Sequence, residues 1–367
     1  MSSGHSEIYL KRKMQMENNE MNKAPSAEEV KLQATNIDEE GNVLFLDEER
    51  FHRWTIGFKR YKHKSDGIGV KRFLLTNIIH LNDKRWPLAR KLYGILMKKV
   101  DHYRDSERNA KSFKKLIKIY PELETNTGTV ILPLNVDISD KAEKTALPID
   151  LVKTALKKTT FIAGMNCCLC RQSNLCKDYP IDLGCLFLGE SSRAVVKYGL
   201  AREFTYEEAM ERVERAASLG LPAQSVWIEF EQPLWGVPDS EMDKFLELCF
   251  CCPCCCAPMR LSRKSDESVR IRFHPSGWTA VPNRTKCVGC GLCVKGENGC
   301  PTEAISIGED KKVVINQDAC IGCGVCVNRC KLGVISIKQT MPMREDILDY
   351  YETEYNIGLD IYKKDEE

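Results

Sequence analysis

The sequence predicts an α+β protein: a helical N-terminal region, then a cysteine-rich α+β middle domain, then a small C-terminal α+β domain. Three observations carry this. Apolar residues recur at helical spacing from Val43 to Tyr120. Thr129-Val130-Ile131-Leu132 is a β-branched run that reads as a strand. Finally, an eight-residue cysteine motif occurs twice near the C-terminus, each copy followed by a fourth cysteine and a short β run.

The elements follow in order. Residues 1–42 are polar, with few aromatics and no sustained period, and are expected to form a mobile arm. They contain no apolar stretch of the kind that opens a secretory leader. Residues 43–125 are expected to be a basic helical region. Trp86-Pro87 followed by Leu88, Leu92, Ile95 and Leu96 predicts a helix with proline at its first position, and a second helix is expected through Phe113, Leu116 and Ile117. Residues 126–275 form the cysteine-rich middle domain. Thr205 stands three residues before Glu208, a capping box, and Gly220 closes the resulting helix. Ser240 and Asp243 predict a further helix ending near Leu248, which would lead straight into Cys249-Phe250-Cys251-Cys252-Pro253-Cys254-Cys255-Cys256. Residues 279–338 hold the repeat, with a hairpin expected between Ile305–Ile307 and Val313–Ile315. An acidic helical tail is expected over 339–367.

Charge and composition narrow the function. The chain has 54 basic and 52 acidic residues, so net charge selects no partner. Its 19 cysteines are the anomaly. A secreted disulfide scaffold would be short and would follow a leader, so these cysteines read as thiolate ligands in a reducing cytoplasm, in a low-oxygen metabolism. No apolar run approaches the roughly 20 residues needed to span a bilayer. There is no phosphate-binding loop, no dinucleotide fingerprint and no radical-type C-x₃-C-x₂-C triplet, and the six histidines show no zinc or catalytic spacing.

Cys287-Val288-Gly289-Cys290-Gly291-Leu292-Cys293-Val294 matches Cys320-Ile321-Gly322-Cys323-Gly324-Val325-Cys326-Val327 at nearly every position. Cysteines two residues apart wrap a tight loop whose sulfurs can take three corners of a cubane. Glycines at 289, 291, 322 and 324 let the backbone amides approach those sulfurs. Zinc sites use paired cysteines instead. The segment resembles a bacterial-type two-cluster ferredoxin domain. That resemblance implies a ferredoxin-like fold with two 4Fe–4S clusters, the fourth cysteine of each run serving the other cluster. One cluster would take Cys287, Cys290, Cys293 and Cys330; the other would take Cys320, Cys323, Cys326 and Cys300. Two departures from the family pattern stand out. Six residues separate Cys293 from Cys300, where three are usual, and Lys331 replaces the proline after the last cysteine.

Eleven cysteines remain, and six of them fall in one eight-residue window, which is not core packing. The segment from Cys168-Leu169-Cys170-Arg171 through Cys176 and Cys185 to the final run resembles uncharacterised iron–sulfur dicluster proteins that place C-x-C-R and C-x-C-C-x-C-C-C segments before a ferredoxin domain. The resemblance implies one or two further clusters. Cys168, Cys170, Cys176 and Cys185 form one candidate set, and Cys249, Cys251, Cys252 and Cys255 or its neighbours another. A set mixed from both segments is equally permitted. Arg171 either neutralises thiolate or cluster charge, holds an anionic substrate, or makes a surface ion pair.

Residues 51–120 hold about 19 Lys or Arg against about 5 Asp or Glu. This stretch is expected to dock an acidic redox partner. A nucleic-acid surface and a plain solvated face that pairs with the acidic tail are the alternatives, nucleic acid being the weakest. The whole reading is an electron carrier or electron-transfer subunit, with no catalytic residue assigned. Its rivals are a reductase acting on a disulfide or small molecule at the middle cysteines, and a metal-binding structural or regulatory protein.

Overall fold

The computed structural model describes residues 127–364 except 138–145, 166–167, 169, 172–175, 198–200, 230–234, 236, 238, 260–266 and 295–298, together with 111, 114, 115 and 125. The expected arm and the basic helical region, with the helices at Trp86 and Phe113, lie outside the described residues apart from those four. So does Cys167.

The described chain is α+β. In order it forms β1 (Thr127–Leu132), α1 (Pro148–Lys158), β2 (Ile162–Gly164), β3 (Leu186–Leu188), α2 (Arg193–Lys197), β4 (Arg202–Glu203), α3 (Tyr206–Ser218), β5 (Ala223–Ile228), β6 (Leu246–Phe250), α4 (Glu267–Arg270) and β7 (Phe273–Pro275). The C-terminal part then adds β8 (Trp278–Pro282), β9 (Ile305–Ile307), β10 (Val313–Ile315), α5 (Val325–Arg329), β11 (Ile335–Gln339) and α6 (Ile347–Tyr355).

The first seven strands make one sheet in the order β4-β2-β3-β6-β5-β1-β7. Every pairing is antiparallel except that of β1 with β7. β1 and β5 are buried at all six positions, as strands covered on both faces should be. Strand alternation then sorts side chains between two layers. On one side Val130, Leu132, Leu246, Leu248 and Phe250 pack with Val152 and Ala155 of α1 and with Ala209 and Val213 of α3. On the other, Ile131 joins Cys251, Cys256, Met259, Phe273, Ile321, Cys323 and Val325. The sheet therefore separates a helical layer, which also holds Cys176, Cys252 and Cys255, from a layer that faces the C-terminal part.

α3 begins as its sequence predicts. Thr205 Oγ1 accepts the Glu208 amide at 3.2 Å, and the Glu208 carboxylate accepts the Thr205 amide at 2.9 Å. Gly220 follows at a φ of +70°, and a Cβ there would meet the Asn328 side chain at 2.4 Å.

The helix expected from Ser240 to Leu248 is a correction. Asp239–Lys244 is a single short 3₁₀ segment, and Leu246–Phe250 is β6. Leu246, Leu248 and Phe250 alternate with Glu247 and Cys249, a period of two, and β3 and β5 flank the strand to complete its hydrogen bonds. The cysteine run is thus carried by a central strand rather than by a helix end.

In the C-terminal part, β8 and β11 pair antiparallel, and β9 and β10 form the expected hairpin, with Lys311 at a positive φ in its turn. Trp278, wholly buried, centres a cluster that includes Cys287, Cys293, Cys326, Ile335 and Ile337. α6 returns to the sheet. Asp346 caps it by accepting the Leu348 amide at 3.1 Å, and Tyr351 and Tyr355 lie over Gly128, where a Cβ would come within 2.6 Å of the Tyr355 ring. Among the described residues, no helix is long and apolar enough to cross a membrane.

Candidate metal centres

The cysteine loops of the C-terminal part fold around two separate cavities. One is lined by Cys287, Cys290, Cys293 and Cys330 together with Val313 and Ile335. The other is lined by Cys300, Cys320, Cys323 and Cys326 with Ile305 and Ile321. Each cavity therefore takes three sulfurs from one motif and the fourth from the end of the other. The walls are otherwise mostly apolar.

Local backbone explains how the sulfurs are held. Gly289, Gly291, Gly322 and Gly324 all adopt φ near +70°, a conformation that costs any other residue strain. A Cβ at Gly322 would lie 2.0 Å from the Trp278 carbonyl oxygen, so this loop packs against β8 only with glycine. Amides point at sulfur: Val313 and Gly289 donate to Cys287 Sγ at 3.3 and 3.4 Å, Val334 to Cys330 Sγ at 3.4 Å, and Ala280 to Cys320 Sγ at 3.5 Å. Such donors favour sulfur in its anionic form. Burial acts the opposite way, raising the thiol pKa of Cys320, Cys323, Cys326 and Cys293. Buried thiols that resist ionisation become stable thiolates when a cation takes the proton's place. Four-cysteine donor sets, apolar walls and amide donors fit iron–sulfur clusters in both cavities.

The middle cysteines are arranged differently. Cys176, Cys252, Cys254 and Cys255 place all four sulfurs within 4.8 Å of one another, with Cys176 3.7 Å from Cys254. Cys185, Glu247 and Cys249 form a second group on the same criterion, with the Cys185 and Cys249 sulfurs 3.2 Å apart and Cys249 donating to Glu247 at 2.9 Å. Cys251 and Cys256, both buried, lie 2.8 Å apart sulfur to sulfur. Cys168 and Cys170 interact with each other. Neither single-segment candidate set comes together as four; the first group is a mixed one. Alternation at the end of β6 turns Cys249 and Cys251 to the C-terminal side of the sheet and Cys252 into the helical-side core, and the turn over 253–255 then brings Cys255 to the same side as Cys252.

Crowding polarises these thiols. Hydrogen bonds from Cys176, Cys254 and Cys255 hold Cys252 well below the ordinary thiol value, while Cys254 and Cys255 are pushed up by sharing protons with Cys176 and Cys252. Cys168 is lowered to about 7 by its hydrogen bond with Cys170, with Arg171 helping against burial. A group that carries one anionic sulfur while it is still protonated suits a soft cation.

Arg171 is fully buried, so the surface ion pair weighed from sequence is ruled out. Its Nη1 donates to the carbonyls of Pro180 at 3.2 Å and Leu183 at 2.9 Å, and Nη2 donates to the Phe250 carbonyl. Burial opposes its charge, but the sulfurs of Cys168, Cys252 and Cys251 outweigh that and raise its pKa. Its own carbonyl accepts the Cys176 amide at 3.0 Å, so one residue braces two parts of the four-sulfur group.

Cys254, one of the neighbours that the sequence allowed in place of Cys255, joins Cys255 in the four-sulfur group. Two features escaped the sequence reading. Glu247 is 5% exposed beside two thiols; the alternation of Leu246, Glu247 and Leu248 points it to a solvent face, and only the central place of β6 in the sheet buries it. Arg212 sits over the Phe204 ring and donates to the carbonyls of Met165, Gly184 and Cys185, fixing the loop that carries Cys185. No sequence signal marked that role.

Residues 286–334 match the model of a family described as a 4Fe-4S dicluster domain. The chain thus carries a ferredoxin-type domain at its C-terminal end, and the family supports 4Fe–4S clusters there. No curated protein and no solved structure matches the chain.

Proposed function

We propose that this protein relays low-potential electrons between redox proteins, as an iron–sulfur carrier or electron-transfer subunit rather than a catalyst. The observation that carries the reading is the pair of cavities, each lined by a crossed quartet of cysteines. One cluster would be held by Cys287, Cys290, Cys293 and Cys330, and the other by Cys320, Cys323, Cys326 and Cys300. A further centre would be held by Cys176, Cys252, Cys254 and Cys255. When bound, these groups supply reversible one-electron transfer.

The chain's own residues order the route. Val288, Leu292 and Leu332 are exposed and border the first cavity, and Cys290 is exposed within it. A partner docked there would exclude water from that cluster. Cys323 of the second quartet packs in one buried group with Cys251 and Cys256, the neighbours of Cys252 and Cys255, which supports a route from that quartet towards the middle centre. Residues 51–120 are our proposed docking region for the acidic partner at the far end, on charge alone. We read the chain as an arm (1–42), that basic region (43–125), the cysteine-rich domain (126–275), the two-cluster domain (279–338) and an acidic tail (339–367), working in a reducing cytoplasm under anaerobic metabolism.

A reductase reading draws support from the 2.8 Å approach of Cys251 and Cys256. These residues are only 2% and 4% exposed, which denies a substrate direct access and favours the carrier. The test is anaerobic purification followed by reduction with a low-potential donor and reoxidation by a redox dye. A carrier shows full reversible bleaching with no change in thiol count. Two extra thiols appearing on reduction would favour the reductase.

A further inference from the structure

We infer that Arg171 is the fixed counter-charge of the Cys176/Cys252/Cys254/Cys255 centre, and that it makes this centre the electron-accepting end of the relay. The inference rests on the proposed iron–sulfur reading of that group.

A guanidinium has five N–H donors and keeps its charge at any accessible pH. Taking that charge out of water is costly unless an anion shares the same low-dielectric space. Arg171 is wholly buried, and its guanidinium donates to three neutral carbonyls and lies within hydrogen-bonding reach of Cys252. Its Nε, also buried, has no hydrogen-bond partner. Among the described residues no carboxylate pairs with it. The groups around it able to carry negative charge are the sulfurs of Cys168, Cys252 and Cys251, with the Tyr179 ring 6.0 Å away. Neutral thiols would leave the cation uncompensated, whereas thiolates held permanently by a metal would balance it. The burial of Arg171 is therefore explained by a standing anion at the four-sulfur group.

The consequence is directional. A buried cation beside a redox centre favours the state with one more electron, and low dielectric lets that effect reach full strength. Among the described residues, the cations at the C-terminal quartets reach solvent: Lys331, which borders the first cavity, is exposed, and Lys312 binds the Cys287 carbonyl from a part-buried position, so solvent screens both. Electrons entering at the exposed first cavity would thus run downhill through Cys323 to the middle centre.

The test compares Arg171→Gln and Arg171→Lys with wild type in the full chain, purified anaerobically, by EPR-monitored redox titration and iron counting. Arg171→Gln should lower the reduced-to-oxidised ratio of the middle centre at least tenfold at fixed potential, about 59 mV for one electron. Both C-terminal signals should stay in place, and Arg171→Lys should lie close to wild type. Loss of the middle iron in the Gln variant with retention in the Lys variant would support the same charge requirement. Equal shifts in both variants, a middle centre indifferent to either, or middle iron lost from both would overturn the proposal. Wild type without a third signal would instead sink the underlying centre, so the two failures are distinguishable.

Discussion

In the C-terminal part, three of every four gathered sulfurs come from one eight-residue loop, and the fourth arrives from the matching motif. In the middle region Cys176 meets Cys254 across 78 residues of sequence, and the meeting depends on where β6 sits in a seven-stranded sheet. The first arrangement is written into local spacing and glycine conformation. The second is written into tertiary structure. It follows that the two regions should fail differently: the C-terminal centres to changes within their loops, and the middle centre to changes in the sheet that carries it.

The strongest way to separate them is to remove a ligand from each. Cys252→Ala should cost about four irons per chain and one EPR signal while leaving two signals intact. Cys326→Ala should remove about four irons from the other end and spare the middle centre. Equal iron contents in Cys252→Ala and wild type would show that the middle group is not a centre.

Core substitutions sharpen the contrast. Trp278 is wholly buried under the C-terminal loops, and Trp278→Ala should cost about 3–5 kcal/mol. Leu248, on β6, should cost about 2–5 kcal/mol as Leu248→Ala. Denaturation followed by iron release should show the C-terminal clusters lost first in the tryptophan variant and the middle centre lost first in the leucine variant. The same order in both would mean that the regions unfold as one.

Two glycines give a finer test within one loop. Gly322 and Gly324 share a φ near +70°, so alanine at either costs about 1–2 kcal/mol of backbone strain. Only at Gly322 would the new Cβ also strike a carbonyl, that of Trp278; at Gly324 the nearest atom is 3.7 Å away. Gly322→Ala should impair assembly at the Cys300/Cys320/Cys323/Cys326 cavity, and Gly324→Ala should leave it loaded. The smallest effect belongs to the α3 cap. Thr205→Ala should cost about 1 kcal/mol in thermal or urea unfolding with no change in iron, because Thr205 caps the end of α3 opposite to the one that meets Asn328 of the C-terminal part.

The same contrast explains what could be read in advance. The doubled motif, the β9–β10 hairpin, β1 and the capped α3 are local features, and each was legible in the sequence. β6 was misread because Ser240 and Asp243 mimic a helix start, while the alternation of Leu246, Leu248 and Phe250 takes effect through β3 and β5 on either side. With that strand misplaced, the division of Cys249 and Cys251 from Cys252 and Cys255 could not be seen. Arg171 stood out beside Cys170, but its burial depends on the carbonyls of Pro180, Leu183 and Phe250, which only the fold brings to it.

The account rests on three metal centres in two kinds of scaffold. Counting iron and acid-labile sulfide per anaerobically purified chain, with EPR spin quantitation of the reduced protein, tests it most directly. It predicts about twelve irons and three signals. About eight irons with two signals would contradict the middle centre, and a chain without iron would contradict the account as a whole.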